Sequence, residues 1–536
     1  MPGALGRLGA IAVAVVAIAH AAAPRPLAFR AHVLELPGPP AALFPADVDG
    51  DGRRDLVLVL AYTEWKQVTE DRVEDAVQIT DVVPALFDRR ELRVYFQAAD
   101  GTYAPAAPPL VLPENVIAVT AGPPFAPVVA LTDEGVSALR PGSGVLALEP
   151  IVAARSALAG TEVFLPRLDF APDLDGDGTR DLLLPAADGL RAHCTAGTGE
   201  PGPAVPVPVA GDERGAGTWA ARTVPWPTRV HLDADGIPDL LFQVGWPPRL
   251  AALAGTRACR FVPPAVDDRC LGLGEKQAVQ DAKEGVARST RLFWAGDIDG
   301  RSGLEAVTAL DRRDDSLRSA REPALRLRFH RMNAAGGFAE RPYQELELTG
   351  YPMSGSPQDF GADEFRDLDG DGRKDLVAVT LDFSVLQVAR VMLTKKISIG
   401  LDFHVWRQGE DGLFRRVAGN ELSEKLKLDL NDVRFDRFGH FGGDFNGDGR
   451  IDFVHLDRGR EVTVHLGAAG CRYPARPDAV IALRREPQDL ALVRMDDFDG
   501  DGRTDLAVIH PGESPEPGAS APVQLELHTS GPGGGP

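Results

Sequence analysis

Apolar residues along this chain fall into short runs broken by Gly, Pro, Asn and Asp, and rarely into the three-to-four spacing of an amphipathic helix. Leu56-Val-Leu-Val-Leu60, Val116-Ile-Ala-Val-Thr120 and Leu376-Val-Ala-Val-Thr380 are typical. Runs this short, rich in Val, Ile and Leu and closed by turn residues, predict β-strands, the unbroken ones buried on both faces. Two segments read differently. Glu64 to Leu86, with Val68, Val73, Ala76, Val77 and Ile79 among acidic residues, and Ser384 to Leu393, with Val385, Leu386, Val388, Ala389 and Met392, suit short helices packed on a surface.

The apolar runs are tied to a polar signature. The nonapeptide Asp-x-Asp-x-Asp-Gly-x-x-Asp, followed by an apolar residue, spans Asp47 to Asp55, Asp173 to Asp181, Asp367 to Asp375, Asp444 to Asp452 and Asp497 to Asp505, with Asn446 in third place in the fourth of these. Damaged copies begin at His231 and at Asp297; the second carries Arg301 in fifth place and Glu305 in ninth. The copies start at 47, 173, 231, 297, 367, 444 and 497, so the first interval is about twice any other. Inside it, residues 116–149 hold four apolar runs and no acidic loop, which predicts an eighth unit without the motif.

Each unit then reads strand, acidic loop, buried strand and two further strands, repeating about every 64 residues. Four antiparallel strands repeated around a ring make an all-β propeller, with eight blades preferred and seven the alternative. After the last motif only Asp505 to His510 and Val523 to His528 read as strands, one short of a full blade, while Leu27 to Leu36 is unassigned. Pairing that N-terminal strand with the last blade closes the ring and removes two free edges.

Carboxylates at alternate positions of a tight loop can converge on one hard cation, and a glycine in sixth place lets the loop turn sharply. The expected metal ligands are Asp47, Asp49, Asp51 and Asp55, with the Arg53 carbonyl in addition. The corresponding sets are Asp173, Asp175, Asp177 and Asp181; Asp367, Asp369, Asp371 and Asp375; Asp444, Asn446, Asp448 and Asp452; and Asp497, Asp499, Asp501 and Asp505. All-oxygen ligation without thiolate or imidazole favours calcium over zinc, giving about five ions. A sixth is accommodated at Asp233, Asp235 and Asp239, where His231 replaces the first ligand. At the Asp297 copy, Arg301 is expected to neutralise the remaining acids in place of a metal. The ions are expected to be structural, stapling the turn between the first two strands of a blade.

On these five full motifs the chain resembles the FG-GAP or VCBS repeat family, the propellers that include the head of integrin α subunits. The likeness spans nearly the whole mature chain. It departs from the family in its eight units against the seven blades of integrins, the missing second motif, and the damaged fourth and fifth. The resemblance implies an exported adhesion or ligand-binding module of the bacterial surface type. Some calcium-containing eight-bladed propellers are polysaccharide lyases, which makes a lyase-like enzyme the alternative.

Composition narrows the partners. The formal net charge of −21 disfavours nucleic acid and anionic membranes, which call for basic patches. Five divalent ions would return about +10. Arg7, the apolar run Leu8 to Ala19, and Ala19-His20-Ala21 fit a secretory leader over 1–21, too short to span a bilayer; the propeller is expected over 22–530 and a disordered tail over 531–536. The expected location is secreted, periplasmic or cell-surface. In such a setting four cysteines can form two disulfides, and Cys259 with Cys270 is the nearest pair in sequence.

Long insertions fall between second and third strands, at Thr63 to Arg90, Asp311 to Pro323 and Asp382 to Lys396, and between units. Both positions lie at the end of a blade opposite the acidic loops, which makes that face the expected site for an extracellular protein or glycan ligand. Trp65, Tyr351, Phe360, Phe383, Phe435, Phe438, His440 and Phe441 are candidate platform residues there, although burial over the channel is the commoner fate of such side chains. No nucleophile elbow or phosphate loop is present, and the one histidine and acid pair worth testing is His440 with Asp436. No catalytic residue is assigned.

Overall fold

In the computed structural model the described residues run from 27 to 532, apart from 63–88, 209–225, 279–286, 313–323, 353–364, 383–395, 430–438, 513–521 and shorter stretches of at most four residues. The leader, both expected helices, Asp436, and Trp65, Phe360, Phe383, Phe435 and Phe438 lie outside them.

The strands form eight separate antiparallel sheets, taken one after another along the chain. Blade 1 comprises Pro40–Ala46, Asp55–Tyr62, Arg89–Gln97 and Tyr103–Pro105. Blade 2 comprises Val116–Ala121, Val128–Thr132, Gly135–Pro141 and Leu146–Ala153, the four runs that lacked an acidic loop. In blade 3 the first strand shrinks to backbone bonds from Asp181 and Leu183 to Pro172 and Phe170, beside Leu182–Ala186, Gly189–His193 and Val205–Val207. Blade 4 is built on Thr228–Val230, Asp239–Val244 and Arg249–Leu253. The central strands of blades 5, 6 and 7 are Glu305–Arg312 and Ala324–Arg331, Asp375–Asp382 and Lys396–Gln408, and Asp452–Arg458 and Glu461–His465. Blade 8 joins Val493–Asp496, Asp505–His510 and Val523–Pro532 to Leu27–Leu36.

Alternation along each second strand explains the ring. In blade 1, Val57 and Val59 pack with Val116, Val128 and Leu139 of blade 2, whereas Leu56, Leu58 and Leu60 pack with Ala507, Leu525 and Leu527 of blade 8. The same division recurs at every junction: one apolar cluster lies between each blade and the next, and the eighth, between blades 8 and 1, completes the circle. Buried apolar area is therefore stored between blades, where two sheets each cover a face of the other.

The fold is an eight-bladed β-propeller. Its closure is as expected: Leu27–Leu36 pairs with Val523–Pro532 over ten residues, Leu27 opposite Pro532 and Leu36 opposite Val523. That last strand continues two residues into the segment expected to be a tail.

The cysteines pair otherwise than sequence proximity suggests. Cys194 is joined to Cys259, with Cα atoms 6.0 Å apart, while Cys270 is exposed and free and Cys471 buried and free. Cys194 follows the third strand of blade 3, and Cys259 sits in a left-handed turn (φ 52°) on blade 4. The disulfide thus bridges two blades, whereas Cys270 lies in the short 3-10 turn Arg269–Leu271 that leaves blade 4.

Candidate functional site

Each acidic loop joins the first strand of a blade to its second, and the loop folds on its own hydrogen bonds. The first aspartate caps the turn: Asp47 Oδ1 accepts from Gly50 and Asp51 N–H, and Oδ2 from Gly52 N–H at 2.9 Å. Asp49 and Asp51 each accept from the amide two residues on. Loops at 367, 444 and 497 repeat the first-residue cap, as does that at 173. The turn needs left-handed backbone at its fourth and sixth residues, and Gly50 (φ 77°) and Gly52 (φ 86°) supply it; the fourth-place glycine is a requirement the motif reading assigned only to the sixth.

The ninth carboxylate does different work. Asp55, Asp181, Asp375, Asp452 and Asp505 are all wholly buried at the start of the second strand. Each accepts from the second amide of its own loop on one oxygen, as Asp505 does from Phe498 at 2.9 Å. The other oxygen accepts from an amide in or just past the third strand, as from Ser530 at 2.7 Å. Gln97, Thr195, Gln408 and Gly467 are the corresponding donors in blades 1, 3, 6 and 7. Burial pushes these groups up: Asp55 and Asp375 to about 6, Asp181 and Asp452 to about 7, and Asp505 to about 8, with neighbouring loop aspartates adding to the effect and the amide donors opposing it.

Loops of successive blades touch. A side chain added at Gly370 would meet the Gly449 carbonyl of the next loop at 2.8 Å, and one at Gly176 would meet that of Gly236 at 2.7 Å. The Ile451 amide donates to the Leu368 carbonyl at 3.1 Å and the Thr504 amide to the Asp444 carbonyl at 2.8 Å. One end of the propeller is thus a continuous belt of acidic turns through blades 6, 7 and 8, with Gly500 against Arg54 carrying it into blade 1.

The donor set suits a hard cation. Oxygens of Asp47, Asp49 and Asp55 lie within 4.8 Å of one another, as do those of Asp173, Asp175 and Asp177, which is about the span across an ion with contacts near 2.4 Å. Burial also raises Asp175 and Asp499 above the usual carboxylate range. Carboxylates held together in this way favour either a proton or a metal ion.

In two loops the third strand contributes a cation. In the damaged blade 5 copy the neutralising residue is Arg331, not Arg301: Arg331 pairs with Asp299 and, through Nε at 3.0 Å, with Glu305. Arg301 stands 3.9 Å from Asp299 and gives its Nη2 to the Glu410 carbonyl at 2.8 Å. In blade 6, whose motif is complete, Arg407 reaches Asp369 at 2.7 Å and Asp371 at 2.8 Å. The Cys471 thiol of blade 7 donates to Asp375 Oδ2 at 3.0 Å. The expected ligands Asp369 and Asp371 are therefore brought together around a guanidinium, while Asp375 takes the thiol and two backbone amides.

The histidines are less scattered than the sequence suggests. His193, His330, His465 and His528 occupy one register position, paired with the residue after position nine in blades 3, 5, 7 and 8, and all are buried. In the first three, Nδ1–H donates to the carbonyls of Gly202, Ala339 and Pro474 at 2.8–3.1 Å, fixing the third strand to the connection that leads into the fourth. A small-residue turn closing on Gly336 and on Gly470 follows His330 and His465. Among the platform candidates, Phe441 is core, packed with Phe403, Phe453 and Tyr473, and His440 is buried in the first strand of blade 7.

Neither a family model nor a curated protein matches the sequence. Solved structures of similar fold include an Agrocybe aegerita lectin described as recognising non-reducing terminal N-acetylglucosamine, at 16 % identity over 78 % of this chain and 91 % of the lectin, with a TM-score of 0.36. Rhamnogalacturonan lyase YesW shares 12 % identity over 61 % of this chain and 57 % of its own, with a TM-score of 0.24. Zg3597, a family 117 glycoside hydrolase from Zobellia galactanivorans, shares 10 % over 56 % and 83 %, at 0.18. Likeness at this level bears on neither ligand nor chemistry.

Proposed function

We propose that this chain is an exported, calcium-stapled propeller of the FG-GAP or VCBS type that binds an extracellular protein or glycan on the end away from its acidic loops. The observation that carries this reading is the asymmetry of the two ends. Loop aspartates are occupied with capping their own turns and bracing the third strand, and neighbouring loops pack against each other, so this end is committed to holding the ring together. At the other end, the chain leaves blade 1 at Tyr62 and returns at Arg89, and leaves blade 6 at Asp382 and returns at Lys396. The eight-residue second strands of blades 1, 5 and 6 outlast the five-residue ones of blades 2 and 3, so these hairpins stand furthest from the acidic belt.

Calcium fits as a staple because the first and third carboxylates of a loop belong to the turn and the ninth to the second strand. An ion held by all three ties the turn to the second strand and removes their mutual repulsion.

Glycan and extracellular-matrix protein arrays probed with the calcium-loaded chain test the binding role; saturable binding that survives substitutions in the acidic loops but not truncation of the 63–88 or 383–395 insertions is the expected result. An unsaturated, ultraviolet-absorbing product from polyuronides would replace the binding role with a lyase.

A further inference from the structure

We propose that blade 6 is closed by Arg407 in place of a metal ion, so that a loop with a complete acidic motif is not a calcium site. The inference rests on the reading of the other complete loops as calcium sites. Five loops match the nonapeptide, and four share surroundings that the fifth lacks. The residue after position nine pairs with Tyr95, His193, Trp406, His465 and His528 in blades 1, 3, 6, 7 and 8. The next residue on the third strand is Phe96, Cys194, Leu466 or Thr529 in four of them, and Arg407 in blade 6. None of the four carries charge.

Blade 5 shows what an arginine does at that point. Its Arg331, directly opposite Glu305, binds Asp299 and Glu305 in a loop that has already lost its fifth-place acid. Arg407 repeats the arrangement with a full set of acids in front of it.

The third-place residue separates the two groups. Asp299 and Asp369 are buried, at 5 % and 8 % exposure, each under its guanidinium. Asp49 is exposed, and Asp175, Asn446 and Asp499 are partly exposed. Pairing at the fifth place does not discriminate, because Arg53 and Arg450 of the loops themselves hold Asp51 and Asp448 in blades 1 and 7.

In blade 6 the neighbouring blade adds further donors. The Gly470 amide reaches Asp369 Oδ2 at 2.8 Å, and the Cys471 thiol reaches Asp375 Oδ2. Asp369 Oδ2 is thus shared between the guanidinium and an amide of the next blade. A guanidinium keeps its proton at any accessible pH, so its charge opposes a divalent ion at this loop throughout.

Native mass spectrometry with calcium alone, counting ions on the folded chain, tests the proposal. Arg407→Met is expected to bind one ion more than the wild type. In the wild-type background Asp367→Asn should leave the count unchanged, whereas Asp497→Asn in blade 8 should lower it by one. An Arg407→Met chain with the wild-type count overturns the proposal, as does loss of an ion in Asp367→Asn. If Arg407→Met does not fold, the Asp367 and Asp497 pair decides, since both keep Arg407. A wild type that binds nothing removes the calcium reading of the other loops; the arginine closure then stands only if Arg407→Met gains an ion.

Discussion

Blades 6 and 8 carry the same loop, Asp-x-Asp-Gly-Asp-Gly-Arg-x-Asp, and fold it with the same first-place cap and the same buried ninth carboxylate. Their surroundings differ. In blade 8 the third strand offers Thr529 and Ser530; in blade 6 it offers Arg407, and the next blade adds Gly470 and Cys471. A nonapeptide of this kind specifies a backbone conformation. On our proposal, side chains contributed from the third strand and the adjoining blade, which no local motif contains, decide whether the result takes a metal ion.

The most severe way to break this comparison is to remove calcium altogether. If four loops hold ions at a hundredfold excess over their dissociation constants, linkage contributes about 2.7 kcal/mol each, and the melting temperature in excess chelator should fall by on the order of 10 °C in a broadened transition. An unchanged calorimetric trace would remove metal from blade 8 as well as blade 6. The ninth place should treat the two blades alike. Asp505→Ala and Asp375→Ala each strand buried amides, and each should cost about 2–5 kcal/mol in urea unfolding, with calcium rescuing neither.

A smaller effect comes from pH. The ninth carboxylates bind protons more tightly folded, at about 6 to 8, than unfolded, near 4. Their contribution in metal-free protein is therefore full below pH 4 and lost as pH rises to about 8. The metal-free melting temperature should fall between pH 5 and pH 8.5, and saturating calcium should flatten or reverse that slope; a metal-free profile that rises with pH contradicts the burial of these acids. Least of all, Arg301→Ala should change stability by under about 0.5 kcal/mol, because its side chain is 58 % exposed, whereas Arg331→Met should be several times worse in the same denaturation assay.

Much of the ring was legible because strand burial leaves a dense signal. Unbroken apolar runs such as Leu56 to Leu60 marked the second strands, the acidic motif marked the turn before them, and the spacing exposed the unmarked blade between 116 and 149. Eight blades and closure by Leu27–Leu36 followed from counting. What escaped depended on register and on neighbours in space. Arg301 lies inside the motif and looked like the neutralising residue, but side chains point to alternate faces, and only the ladder brings Arg331 opposite Glu305. Cys259 looked like a partner for Cys270, eleven positions on, until the blade 3 and blade 4 junction set it against Cys194. The four equivalent histidines read as scattered in the sequence, because what they share is a register position, and their role needed the carbonyls across from them.

The pairing of Leu27–Leu36 with Val523–Pro532 joins residues about 500 apart in the chain. The N-terminal strand is itself the outer strand of the last blade, and the partner it needs, Val523–Pro532, lies at the other end of the ring's sequence. Its alternating pattern, with Phe29 docking against Phe445 of the seventh blade, gives it a seat that appears only when that blade and the eighth are in place. Closure is then the longest-range pairing in the fold, and a chain lacking either strand would leave its partner's edge bare, prone to pair with another copy of itself.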